Sequence, residues 1–226
     1  MQEFNVLPKV IQMDSKNRHW GGKPVHTASS DKRRDIIISM IPASKRILDV
    51  ACGDGATLSR ITAEEKHGVD INAENVRAAR KHGIKAVQRD VDEGLPYREG
   101  YFDIVITEGL IQHLYSPETL VDEIARVLRP GGLYIGSMTN NYHLWHRVMY
   151  LLGKPQDSFL FRNRAWQITS SFFTLNGFRD VLSKRFEIVT CTAKPGRFSS
   201  ILPSLFGWDI VWKARKLGPQ ERKTSL

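Results

Sequence analysis

Apolar residues in this chain come in short runs, separated by stretches of helical period. Ile47, Leu48, Val50 and Ala51 make one such run, interrupted by a single acid, Asp49, and the run suits a strand buried on both faces. A tight polar turn follows through Cys52, Gly53, Asp54 and Gly55, and a helix can start at Ala56. The unit then recurs. Residues 66–71 (KHGVDI) read as a second strand, Asn72 as the cap of a helix carrying Val76 and Ala79, and Gly83 as its end. Residues 84–91 (IKAVQRDV) read as a third strand and 102–107 as a fourth. A helix over about 117–128 has Ser116 as cap, Pro117 in its first turn and one apolar face of Leu120, Ile124, Val127 and Leu128. Gly131 and Gly132 turn the chain into a fifth strand, 133–137. Upstream, Asp31 is placed to cap a helix over 32–40 that Pro42 stops. Downstream, an aromatic amphipathic helix ends near Gly153, Thr174 caps a last helix with Phe178, Val181 and Leu182, and 186–191 and 209–214 read as strands. Strands alternating with helices predict an α/β fold around a mainly parallel sheet.

The candidate chemistry gathers where these strands end. A strand, a glycine turn and a helix make a nucleotide-sized pocket, because glycine admits close backbone approach and the helix start offers free N–H groups. A dinucleotide fingerprint would need three glycines, and a P-loop would need Lys-Ser/Thr after its glycines. This turn has Gly53 and Gly55 only, and it adds Asp49 inside the strand. An acid there suits a ligand with a positive group better than a pyrophosphate; S-adenosylmethionine carries an ammonium and a sulfonium. Asp70, 21 positions after Asp49, closes the second strand and can accept both hydroxyls of a ribose. Near the third strand's end stand Asp90 and Asp92, of which Asp90 fits the strand end better.

The stretch DVACGDG resembles the first motif of the class I S-adenosylmethionine-dependent methyltransferases, with Ala51 in place of the usual first glycine, a mild departure because its side chain is small. EGLIQHLYSPETLVDEIARVLRPGGLYIGSM resembles the same family's fourth-strand, helix and fifth-strand region, so the matched segments span about 45–138. The resemblance implies a Rossmann-like sandwich: a seven-stranded, mostly parallel sheet with an antiparallel last strand and helices on both faces. It implies S-adenosylmethionine as cofactor and S-adenosylhomocysteine as product, held by Asp49, Ala51, Gly53, Gly55, Asp70, Ile71, Asp90, Val91 and Glu108. Asp90 would accept the adenine amino group and Val91 would flank the ring. His113, just after the fourth strand, is the candidate base near the expected methyl position. Family leading segments often close over cofactor or substrate, which makes Trp20 and His26 candidate acceptor contacts beside Tyr142, His143 and His146. The region 139–171 would build the acceptor pocket or a lid. It also bears a patchy similarity to the MetW proteins of methionine biosynthesis and to methyltransferases of glycan-related pathways.

Composition trims the alternatives. The 226 residues allow one α/β domain with additions: an extension and helix over 1–44, a domain over 45–216 and a basic polar tail over 217–226. Apolar runs fall short of a membrane span, the amino terminus does not read as a signal peptide, and Cys52 and Cys191 form no metal spacing. A cytoplasmic, disulfide-free protein without a metal is expected. The formal charge of +9 favours anionic partners; Lys32, Arg33 and Arg34 form one cluster, read as solvated, and the tail another. No nucleic-acid-binding signature accompanies them, so a nucleic-acid methyltransferase ranks below an enzyme for a small metabolite with an oxygen or nitrogen acceptor. A MetW-like accessory protein that binds the cofactor without turnover is the other alternative. The apolar loop KPGRFSSILPSLFGW has three readings: a packed hairpin, a surface of a homodimer (as against a monomer), or peripheral membrane contact.

Overall fold

The computed structural model describes residues 28–114, 116–153, 173–194 and 198–218. Trp20, His26, residues 154–172 and the end of the tail lie outside the described residues. In chain order the elements are α1 (Ala28–Ser39), β1 (Ser44–Val50), α2 (Ala56–Ser59), β2 (Ala63–Asp70), α3 (Ala73–Lys81), β3 (Lys85–Gln88), β4 (Phe102–Glu108), α4 (Pro117–Val127), β5 (Leu128–Thr139), α5 (Leu144–Leu151), α6 (Leu175–Ser183), β6 (Phe186–Lys194), α7 (Pro203–Phe206) and β7 (Asp209–Lys216). The strands form one seven-stranded sheet in the order β3-β2-β1-β4-β5-β7-β6. The first five run parallel, and β7 is antiparallel to both β5 and β6. This is the Rossmann-like methyltransferase sandwich that the motifs imply.

Alternation along β1 explains why both faces need helices. Leu48 and Val50 enter a core with Leu120 and Ile124 of α4 and Phe178 and Leu182 of α6. Ile47 enters the other core, with Ile37 of α1 and Val76 and Ala79 of α3. Each fully buried Leu or Ile contributes about 2 kcal/mol of transfer free energy, so neither face is stable bare. Asn72 caps α3 as expected: its side-chain oxygen accepts from the N–H groups of Glu74 and Asn75. Thr174 caps α6 through the Gly177 N–H at 3.0 Å.

Several local expectations shift. The first helix begins at Ala28, so Asp31 lies in its first turn and pairs with Arg34 at 3.2 Å instead of capping. Ser116 precedes α4 but its side chain makes no capping hydrogen bond; Pro117 at the first turn starts the helix. The fifth strand starts five residues earlier than expected, directly at the α4 C-cap Leu128, which is already extended and pairs with Phe102. A register shift between Phe102 and Ile104 takes up the Gly131–Gly132 turn.

Candidate functional site

Because β1, β2 and β4 are parallel neighbours, their carboxyl ends open on one edge of the sheet, and the turn after β1 crosses that edge. Ala51 turns there with φ 65, in the left-handed region. The N–H groups of Ala51 and Cys52 both donate to the Val69 carbonyl, at 2.7 and 3.0 Å, so the turn is clamped to β2. The departure from glycine at this position is therefore a matter of backbone strain, on the order of 1 kcal/mol, and not of side-chain size. Gly53 also has positive φ, and a Cβ added to it would meet nothing within 4 Å, so open space adjoins the turn. Gly55, at φ 85, is the N-cap of α2, and a Cβ there would strike Ile84.

Asp70 ties this turn to the next. Its Oδ2 accepts from Gly53 N–H at 2.8 Å, and its Oδ1 accepts from Asn72 N–H at 2.8 Å and the Asn75 amide at 3.2 Å. A carboxylate offers about four lone-pair sites, so these bonds leave room for one further donor where two had been expected. Burial raises the Asp70 pKa, partly offset by those hydrogen bonds.

Asp49 is the most exceptional group of the edge. It is buried, and its Oδ1 has no hydrogen-bond partner. Its pKa stands well above the ordinary value, first through burial and then through Glu108 and Asp70, against a lowering by Arg34. Glu108 at the end of β4 accepts from the Thr57 hydroxyl at 2.8 Å and lies 3.5 Å from both Arg33 Nε and Arg34 Nε. Arg33 also donates to Asp209 Oδ1 at 3.3 Å. Asp209 is buried, its Oδ2 lacks a partner, and burial raises its pKa. Among the described residues, Asp49, Asp70, Glu108 and Asp209 thus share the edge with two guanidiniums, those of Arg33 and Arg34. The excess of carboxylate and the orphaned Asp49 oxygen fit a cationic ligand group.

The remaining predicted residues divide. Asp90 caps a 3-10 turn over Val91–Glu93 by accepting from Asp92 N–H at 3.1 Å; Val91 packs against the core, and Asp92 is exposed. Arg89 N–H donates to the Asp70 carbonyl at 3.0 Å and Gln88 reaches the Ile71 carbonyl at 3.1 Å, so the β2 and β3 ends are joined. His113 closes a 3-10 turn, Ile111–His113, just past β4 and is half-buried; the adjacent Gln112 is buried with Oε1 unpaired. His143 serves as a cap: its Nδ1 accepts from Trp145 N–H at 3.1 Å, and its ring stacks on Trp208 at 3.8 Å. His146 is buried beside the same indole, at 5.8 Å. Burial lowers the pKa of both histidines, which favours their neutral forms. Tyr142 is half-buried in the turn before α5.

Sequence reasoning missed Asp209, Thr57 and the role of the α1 arginines. Arg33 and Arg34 are 19% and 14% exposed in their side chains, so that cluster is a part-buried set of ion pairs and not a solvated face. Asp209 is the first residue of its strand, and only the antiparallel course of β7 brings a strand start to this edge. A groove of about 500 Å³ lined by Ser44, Lys45, Asp103 and Arg129 lies at the opposite end of these strands, away from the carboxylates. Among the described residues, no group of His, Cys, Asp and Glu is arranged to hold a metal ion.

Residues 48–136 match the family described as the methyltransferase domain. The chain carries a methyltransferase domain. That domain contains Asp49, the glycine turn, Asp70, Asp90, Glu108 and His113. The ubiquinone biosynthesis O-methyltransferase of Xylella fastidiosa (strain 9a5c) is 30% identical over 131 residues, which cover 54% of this chain and 53% of that protein. The enzyme of the same name from Xanthomonas oryzae pv. oryzae (strain PXO99A) is 32% identical over 138 residues, 55% of this chain and 57% of that one. The chain thus aligns with about half the length of these relatives. Among solved structures, an S-adenosylmethionine-dependent methyltransferase from Thermotoga maritima superposes with TM-score 0.62 at 18% identity, covering 92% of this chain and 94% of that one. One from Methanosarcina mazei gives 0.59 at 22% identity, covering 80% and 97%. These likenesses establish the fold around the methyltransferase domain.

Proposed function

We propose that this protein transfers the methyl group of S-adenosylmethionine to an oxygen of a small-molecule acceptor. The observation that carries the reading is the buried Asp49 carboxylate, whose Oδ1 has no hydrogen-bond partner, beneath a glycine turn with open space beside it. When bound, the cofactor supplies an electrophilic methyl on a sulfonium, whose sulfide is a good leaving group. Asp49 would hold the ammonium, because a cation there relieves its desolvation and its repulsion by Glu108 and Asp70. The spare lone pair of Asp70 would take one ribose hydroxyl, with Ile71 beside it, and Asp90 and Val91 would face the adenine. Ala51, Gly53 and Gly55 shape the backbone that the nucleoside approaches. Glu108, already hydrogen-bonded to Thr57 and ion-paired with Arg33 and Arg34, would set the charge of the site more than touch the ligand.

Positioning supplies much of the acceleration in such a transfer. A hydroxyl acceptor must still lose its proton, and His113 on the turn after β4 is the proposed receiver, with the unpaired Gln112 oxygen next to it to orient the acceptor. Tyr142 and, outside the described residues, Trp20 and His26 remain proposed acceptor contacts. His143 and His146 would shape the pocket through Trp208. Two relatives whose names specify O-methyl transfer support oxygen over nitrogen.

The test is isothermal titration of the full chain with S-adenosylmethionine and with NAD, then S-adenosylhomocysteine release across a panel of hydroxylated and amino acceptors. Donor binding that weakens by about tenfold or more in Asp49→Asn, with turnover on a hydroxylated acceptor, is expected. Preference for NAD would sink the reading. Donor binding with no turnover on any acceptor would turn it towards an accessory, MetW-like role.

A further inference from the structure

We infer that α5 and the segment 198–208 form a docking strip for the surface of an anionic phospholipid bilayer. The observation is an amphipathic helix turned inside out. At about 100° per residue, Leu144, Trp145, Val148, Leu151 and Leu152 share one face of α5 and its C-cap, and all are exposed, Leu151 at 87%. The opposite side meets the body of the protein with His146, which is buried. An ordinary surface helix hides its apolar stripe; this one presents it.

The helix is not alone. Phe198, Ile201 and Leu202 are exposed on the neighbouring segment, Ile201 at 73%. The two pieces are locked together: the Asn140 amide donates to the carbonyls of Ser204 and Gly207 at 3.0 and 2.7 Å, and His143 stacks on Trp208. The strip leaves the sheet at Thr139 and returns at Asp209, so it borders the carboxyl edge. Exposed apolar surface on two segments tied together in this way marks a partner.

Charge selects the partner. Neither 140–153 nor 198–208 contains an aspartate or glutamate, whereas Arg147 lies on α5, Lys194 is exposed at the end of β6 and the whole chain carries +9. Two copies placed strip to strip would oppose these cations with no acid to pair them. An anionic lipid surface answers both the cations and the aliphatic face, and Trp145 and Trp208, each partly exposed, suit the interfacial layer. Among the described residues no helix is long and apolar enough to cross a membrane, so the contact is peripheral.

The test is flotation of the full chain with vesicles of phosphatidylcholine alone and of phosphatidylcholine with about 30% phosphatidylglycerol. Wild type should float with the mixed vesicles, about tenfold less with neutral ones, and lose the difference at high salt. Leu151→Glu, and separately Ile201→Glu on the second segment, should each cut flotation about tenfold at unchanged melting temperature and unchanged S-adenosylmethionine affinity. The last readout keeps this inference distinct from the methyl-transfer reading. Absence of flotation, equal binding to neutral vesicles, or variants that float like wild type would overturn it. So would a wild-type dimer that Leu151→Glu dissociates, which would make the strip a homodimer interface. A lowered melting temperature in Leu151→Glu without wild-type flotation would assign the strip to the chain's own residues 154–172.

Discussion

Arg33 in the first helix donates to Asp209 at the start of the last strand, 3.3 Å away and 176 positions along the chain. This ion pair joins α1 to the sheet's carboxyl edge, with Glu108 on the other side of the same guanidinium. Removing one partner of a part-buried pair leaves the other as an uncompensated charge. Arg33→Met should therefore cost about 2 kcal/mol in urea unfolding, and adding Asp209→Asn should recover much of it. Additive losses in the double variant would show that the two groups do not interact.

Asp49→Asn should separate stability from binding. The amide removes a buried, repelled carboxylate, so the ligand-free protein should gain on the order of 1 kcal/mol, or a few degrees in Tm, while donor affinity falls. Calorimetry on the two proteins, with and without S-adenosylmethionine, checks both signs.

The same group sets a pH dependence. The native Asp49 pKa lies well above the ordinary 3.8, so across the window between the two values the native state binds more protons than the unfolded chain. Stability then falls as pH rises through that window and levels off above it. Asp70 and Asp209, also raised, act in the same direction. Donor affinity should move oppositely, rising with pH as Asp49 ionises, and the rise should flatten in Asp49→Asn. Titrations from the ordinary carboxylate range upward give both curves.

Ala51 offers a test of backbone strain. At φ 65, glycine relieves strain of about 1 kcal/mol but adds unfolded-state entropy, so Ala51→Gly should be neutral to slightly stabilising. Ala51→Val, with a β-branched side chain in the left-handed region, should cost about 2 kcal/mol or more. Urea midpoints of the three proteins decide this.

Asp70→Ala should affect folding as well as binding. It strands the N–H groups of Gly53 and Asn72 and the Asn75 amide, a loss of about 2–3 kcal/mol. Asp70→Asn keeps an acceptor in place and should retain more of the stability than of the donor affinity. Equal stability losses in the two variants would contradict that assignment.

The elements were legible because their signals are local. Asn72 and Thr174 cap as read, Gly83 ends α3, and the apolar runs at Ile47, Val69 and Ile104 become strands buried on both faces. Where the reading slipped, the competing influence was tertiary. Asp31 lost its cap position to a helix that starts earlier, and Leu128 became strand because Phe102 was there to pair with it. The basic run at Arg33 and Arg34 looked solvated because its acidic partners lie far away in sequence.

By itself the sequence determined the α/β alternation, the glycine turn and the acids at successive strand ends, since propensity, capping and turn chemistry act over a few residues. Only the tertiary structure decided that Asp209 joins those acids, that Arg33 and Arg34 partly neutralise them, that His143 caps a helix against Trp208, and that α5 shows its apolar face outward. Those outcomes follow from strand direction and from contacts across long stretches of chain, where side chains compete for the same buried partners.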